Sequence, residues 1–177
     1  MAAIFLPSQN RQPAKPRLEN SPRMMALVAS GASLVTLAAA VALFKWLTGL
    51  APDLPHYRNP AIVIHVATVL PAVPLGAYLL LSRKGDARHK LLGKVWIALM
   101  VTTAIAITFV RGGTDFSWIH IFVPYTLLGA WNVVRTARAG RIDEHRKHIT
   151  GMYLGALIIP GGFAFLPDRL FGLWLFA

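Results

Sequence analysis

Six histidines stand out in this chain as side chains whose type and placement suggest chemistry: His56, His65, His89, His120, His145 and His148. Imidazole ligates haem iron axially and binds divalent metals, and inside a membrane an ionisable side chain is a functional candidate from the outset. The same rings can serve a plainer purpose, hydrating at headgroup depth or hydrogen-bonding one helix to the next. The chain has no cysteine, which excludes disulfides, thiolate-held iron–sulfur clusters, cysteine-attached haem and cysteine-based zinc sites. A metal or cofactor therefore has to be held by His, Met or oxygen. Phosphate-loop, Gly-x-Ser-x-Gly and His-Glu-x-x-His patterns are lacking, so ATPase, hydrolase and zinc-protease readings have no support and no catalytic residue is assigned. His145 and His148 could share a Zn²⁺ on one helix face, but two ligands without a third leave that site incomplete.

The elements that must position these histidines are apolar helices. The chain is 55% hydrophobic and 14% charged, with its charges gathered into short blocks, a composition foreign to soluble domains. A crossing helix needs roughly 20 mostly apolar residues for about 30 Å of hydrocarbon. Residues 1–23, with Pro7, Pro13, Pro16 and Pro22 among polar and basic side chains, read as a flexible cytoplasmic tail. Residues 24–50 read as a first transmembrane helix: the run stays apolar past any signal-cleavage point, Lys45 snorkels, and Trp46 suits the interface.

Residues 60–166 read as a four-helix membrane core. Its runs are Pro60 to Ser82, bent at Pro71 and Pro74; Arg88 to Val110, with Asp86 as N-cap and Arg111-Gly112-Gly113 as the stop; Asp115 to about Val134, containing Pro124; and a last run after an Asp143-Glu144 cap to Leu166, interrupted at Pro160-Gly161-Gly162. Residues 167–177 are apolar but far too short to span, and are expected in the outer interface or against a partner. No acidic residue lies well inside a helix, which leaves a proton-relay or cation-transport reading without an owner.

The net charge of +11 would suggest nucleic acid in a soluble protein, but placement answers otherwise. Basic residues gather in the tail (Arg11, Lys15, Arg17, Arg23), around the second inter-helix loop (Arg83, Lys84, Arg88, Lys90, Lys94) and around the fourth (Arg135, Arg138, Arg141, Arg146, Lys147). A weaving chain puts all of these on one side, as the positive-inside rule requires. The charge reads as topology with contact to lipid headgroups, not as a nucleic-acid surface. The expectation is an all-α integral membrane helical bundle of about five transmembrane helices, N-terminus in and C-terminus out, in a bacterial cytoplasmic membrane.

In that topology His65 and His120 enter from the outer side, while His89, His145 and His148 begin helices at the inner side. In an up-down bundle helices 2 and 4 are diagonal, as are 3 and 5, so each end could hold a flat cofactor between two imidazoles. The expected haem-iron ligands are His65 with His120 at the outer end, and His89 with His145 or His148 at the inner end. Gly76, Gly93, Gly129 and Gly151 would let a macrocycle approach. This plan is similar in architecture to the cytochrome b561 proteins, whose four central helices carry two haems on paired histidines. His56, in a loop, is given no role.

The stretch from His65 through Gly76 to Arg83, then His89-Lys90-Leu91-Leu92-Gly93-Lys94-Val95-Trp96, and Arg141-Ile142-Asp143-Glu144-His145-Arg146-Lys147, resembles the DUF2306 family of predicted membrane proteins over residues 60–166. The resemblance implies a multi-helix membrane fold and directs attention to His65, His89 and His145; it supplies no activity. His148 stands where an aromatic residue is expected in relatives. The functional expectation is a membrane haem b protein carrying electrons through bis-histidine sites and exchanging them with a quinol or a partner subunit. The alternative is a cofactor-free structural or accessory subunit of a larger membrane complex.

Overall fold

The computed structural model describes residues 21–54, 59–82, 84–110 and 118–176. The tail before Ser21, His56, Arg83, the Arg111-Gly112-Gly113 stop, Asp115 and Ala177 lie outside the described residues. Within them the fold is all-helical, without a strand. The elements are α1 (Pro22–Leu47), α2 (Pro60–Leu81), α3 (Ala87–Thr108), a 3₁₀ turn (Trp118–Ile121) leading into α4 (Phe122–Arg138), α5 (Ile142–Tyr153) running through a π-helical turn (Leu154–Ile158) into α6 (Ile159–Phe163), and α7 (Leu170–Phe176). Three of them, α1, α2 and α3, are long and apolar enough to cross a membrane.

Local chemistry explains most of the boundaries. Ser21 accepts from the Met24 amide, Asn59 from Ala61 and Asp86 from His89, each followed by a helix whose first amides lack internal partners; Pro22 and Pro60 occupy first-turn positions that need no N–H. Helix α4 runs a turn beyond Val134 and closes at Gly140, whose φ of 67° lets the Arg141 amide reach the Thr136 carbonyl and its own amide reach Ala137. That tight reversal sets α5 antiparallel beside α4. Arg141 holds the N-cap position of α5, and Asp143 and Glu144 lie inside the first turn, where carboxylates favour the helix N-terminus. Pro160 has no N–H to return to Ala156; just before it the ladder widens and the Ile159 amide bonds Leu154, so the helix continues through the proline.

Helices α2 to α5 form a closed ring in which each packs on the next and α5, with its π turn, returns to α2. Helix α1 lies outside against α2 and the π turn, and α7 folds back on α1. Small residues line much of the helix contact surface, around a few large buried side chains, and many of the other large apolar residues point outward. Ala72, Ala77, Ala104, Ala130 and Gly76 face inward, whereas Leu34, Leu37, Phe44, Leu128 and Trp131 face outward and are each more than 60% exposed. This is how helices pack in lipid, where close backbone approach, not the expulsion of large apolar side chains, drives association.

Candidate functional site

The centre of the ring is occupied by side chains. Trp96 from α3 and Tyr153 from α5, both fully buried, close over Gly76 of α2: a methyl on Gly76 would fall 2.6 Å from Trp96 Nε1 and 2.6 Å from Tyr153 Cδ2. Trp96 donates its indole N–H to the Ala72 carbonyl at 2.9 Å, and Tyr153 donates its hydroxyl to Val73 at 3.1 Å. Met100, Met152 and Leu157 complete the layer. Gly129 is likewise covered by Met152, while Gly93 has open space around it. Tyr125 of α4 lies over the Gly151-x-x-x-Gly155 face of α5 and donates its hydroxyl to the Gly151 carbonyl at 2.9 Å.

The histidines sit towards the two ends, and three of them place a ring nitrogen on a backbone carbonyl. A carbonyl can only accept, so the tautomer that uses such a bond carries its proton on that nitrogen. His65 on α2 places Nδ1 3.2 Å from the Thr103 carbonyl of α3, to which the Nδ1–H tautomer donates, and 2.8 Å from the Thr103 hydroxyl, which can donate to the other tautomer. His145, in the first turns of α5, places Nδ1 3.0 Å from the Val133 carbonyl of α4, to which Nδ1–H donates. His120, in the 3₁₀ turn, donates Nε2–H to Val110 at 3.1 Å, so its unprotonated nitrogen is Nδ1. The carbonyls that meet His65 and His120 belong to Thr103, in the last turns of α3, and Val110, just past its end.

At the opposite end, His89 of α3 and His145 of α5 interact electrostatically, and Lys84 does so with both His89 and Arg146. These couplings bring the loop between α2 and α3 and the turn between α4 and α5 to one end of the bundle, the basic end. His145 is turned onto α4 and towards His89, while His148, one turn on, is half-buried. Among the described residues there is no group of three or more His, Asp or Glu side chains able to hold a metal ion, and the His145–His148 pair gains no third ligand.

Trp96 enters the sequence reading only within the family resemblance, Tyr125 only as one of several side chains able to hydrogen-bond across helices, and the proximity of Lys84 to Arg146 carries no weight there. Tyr125 had a signal, the small-xxx-small spacing of Gly151 and Gly155. Compared with family models, with curated proteins and with solved structures, the chain finds no match.

Proposed function

We propose that the chain is a five-span membrane protein of the DUF2306 type, its basic end and N-terminus on the cytoplasmic side of a bacterial membrane, that carries electrons on haem b held by histidine pairs. The observation that carries this reading is that His65 and His145 each place Nδ1 on a backbone carbonyl of a neighbouring helix, the arrangement that the Nδ1–H tautomer satisfies. One lies near each end, and in that tautomer Nε2 is left to ligate. A ligating imidazole typically has its other ring N–H held in this way, which fixes the ring and raises its basicity. His89, electrostatically coupled to His145, is its partner in the inner pair, with His148 as the alternative to His145. His65 is paired with His120 in the outer set, where His120 ligates through Nδ1 or exchanges its Val110 bond.

Haem bound there supplies one-electron transfer with a quinol or a partner redox subunit. The protein's own contribution is to orient the imidazoles and, through Trp96 and Tyr153, to keep water out of the layer between the ends. The five-span topology draws on length: α5 to α6 is helical over residues 142–163, about 33 Å at 1.5 Å per residue. The lack of native cysteine makes single-cysteine labelling a direct check: a cysteine at Lys90 labels from the cytoplasm and one at Asp53 from the opposite side.

A second reading, a cofactor-free accessory subunit packing through its small-residue faces, draws on a different observation: Gly76 and Gly129, two of the glycines expected to admit a macrocycle, are covered by Trp96, Tyr153 and Met152. A reduced-minus-oxidised visible spectrum of protein purified from haem-replete cells separates the two. Sharp b-type bands, with His65→Ala and His145→Ala each losing about half of the haem, are expected; a folded but colourless wild type sinks the haem reading and leaves the accessory subunit.

A further inference from the structure

At the basic end two buried side-chain nitrogens have no hydrogen-bond partner among the described residues: Nδ1 of His89, in the first turn of α3, which donates when it carries the ring proton, and Nε of Arg146, a donor in the second turn of α5. Leaving such a group unpaired costs about 1–3 kcal/mol, more when it is charged, so orphaned donors of this kind call for a partner. The charges around them do not balance either. His89 feels Lys84 and His145 as well as Asp86, and Lys84 feels Arg146, so basic side chains from the loop before α3, from α3 and from α5 are crowded at one end. Of the nearby acids, Asp86 caps α3 through the His89 amide at 2.7 Å and also attracts His89, Glu144 pairs with Arg141 at 3.1 Å, and Asp143, one turn before Arg146 on α5, is likewise engaged.

We propose that this cluster is a binding site for a phosphate group, with Arg146 and His89 donating to its oxygens from α5 and α3 and Lys84 closing over it from the intervening loop. A guanidinium beside an ammonium suits the several acceptor oxygens of a phosphate, and basic pockets between membrane helices at the cytoplasmic face recognise anionic lipid headgroups. Burial, and then the Arg146 guanidinium, hold the Lys84 ammonium below its ordinary range, a tension that an anion relieves. The site uses only Nδ1 of His89, so it stands independently of any ligand on Nε2.

The test uses the full chain in bilayer discs of phosphatidylcholine with and without phosphatidylglycerol, reading retained phosphatidylglycerol by native mass spectrometry, alongside a thermal-shift titration with inorganic phosphate. Wild type retains phosphatidylglycerol; Arg146→Gln retains it about tenfold less well, matching the loss of one charge-assisted bond. Lys84→Gln, on an exposed loop, shows a loss in the same direction and serves if Arg146→Gln does not fold. Arg138→Gln, an exposed control on α4 near the same end with the same change of charge, stays within about twofold of wild type. Response to phosphatidylglycerol alone assigns the phosphate to a lipid headgroup; response to inorganic phosphate as well shows that the headgroup is not required. Wild type indifferent to both, or Arg138→Gln losing as much as Arg146→Gln, overturns the site in favour of a diffuse basic surface.

Discussion

The middle of the bundle and its basic end are built on opposite plans. At mid-depth two large aromatic side chains each carry one polar atom, and each atom ends on a carbonyl of α2: Trp96 on Ala72, Tyr153 on Val73. At the basic end His89 and Arg146 each bury a donor that nothing in the described fold answers, among cations that repel one another. The contrast separates two uses of polar chemistry in a membrane. Polar atoms in the middle lock helices whose apolar surfaces have no preference for each other over lipid. The unanswered donors at the end add nothing to packing, and their cost makes sense as part of a site that a ligand completes.

The strongest way to break the contrast is to empty the middle. Trp96→Ala is expected to cost about 3 kcal/mol, at the low end for such truncations because lipid is itself apolar and mainly the cavity and lost contacts remain. Gly76→Ala attacks the same layer from the other side. Its methyl meets two rings that are fully buried and have nowhere to go, so a loss of about 1–3 kcal/mol is expected despite the better helix propensity of alanine. Unfolding in mixed micelles against a chemical denaturant measures both. A neutral Gly76→Ala would mean that the layer is loose enough to open, which weakens the accessory-subunit reading and leaves room for a macrocycle.

Tyr153→Phe is the gentler probe: it keeps the ring and removes only the bond to Val73, for an expected loss of about 1 kcal/mol by the same unfolding measurement. The Val73 carbonyl keeps its place in the helix ladder, so no acceptor is stranded. A larger loss would show that the hydroxyl, not the ring, holds α5 to α2.

How much of this was legible beforehand follows from where the physics is local. The Asp86 cap, the proline that opens α2, and the all-helical class depend on short stretches of sequence, and they could be read there, whereas Pro22, read into the tail, opens α1. Which face of each helix turns inward could not, because lipid-facing and core-facing positions in these helices are both apolar and carry little periodicity. The better guide is size, with Ala72, Gly76 and Ala77 inside and large residues outside. The histidines illustrate the same limit. Their ends of the bundle follow from order along the chain, but that His65 bonds Thr103 and His145 bonds Val133 depends on helix rotation, which no spacing encodes. The repulsion between Lys84, in the loop before α3, and Arg146, on α5, joins residues far apart in sequence, and only the packing of the ring brings them together.

The smallest expected effect carries the sharpest sign. With its pKa held below the ordinary 10.5, Lys84 binds its proton less tightly in the folded protein than in the unfolded chain. At neutral pH both forms are protonated and the folded one bears the cost of partial burial and then the repulsion from Arg146; as pH rises through the depressed folded value towards 10.5, the folded form sheds its proton first and stability rises. In discs of neutral lipid, wild type should therefore melt higher as the pH is made alkaline, and Lys84→Gln should lack that rise and melt slightly above wild type at neutral pH. Its lost bond to Ser82 is exposed and contributes little. Adding phosphatidylglycerol should reverse the order, because the ammonium that destabilises the empty site is the one that holds the phosphate. A Lys84→Gln protein that melts below wild type in both lipids would show that the basic end is held together like the middle, by contacts already made, and the contrast between the two regions would fail.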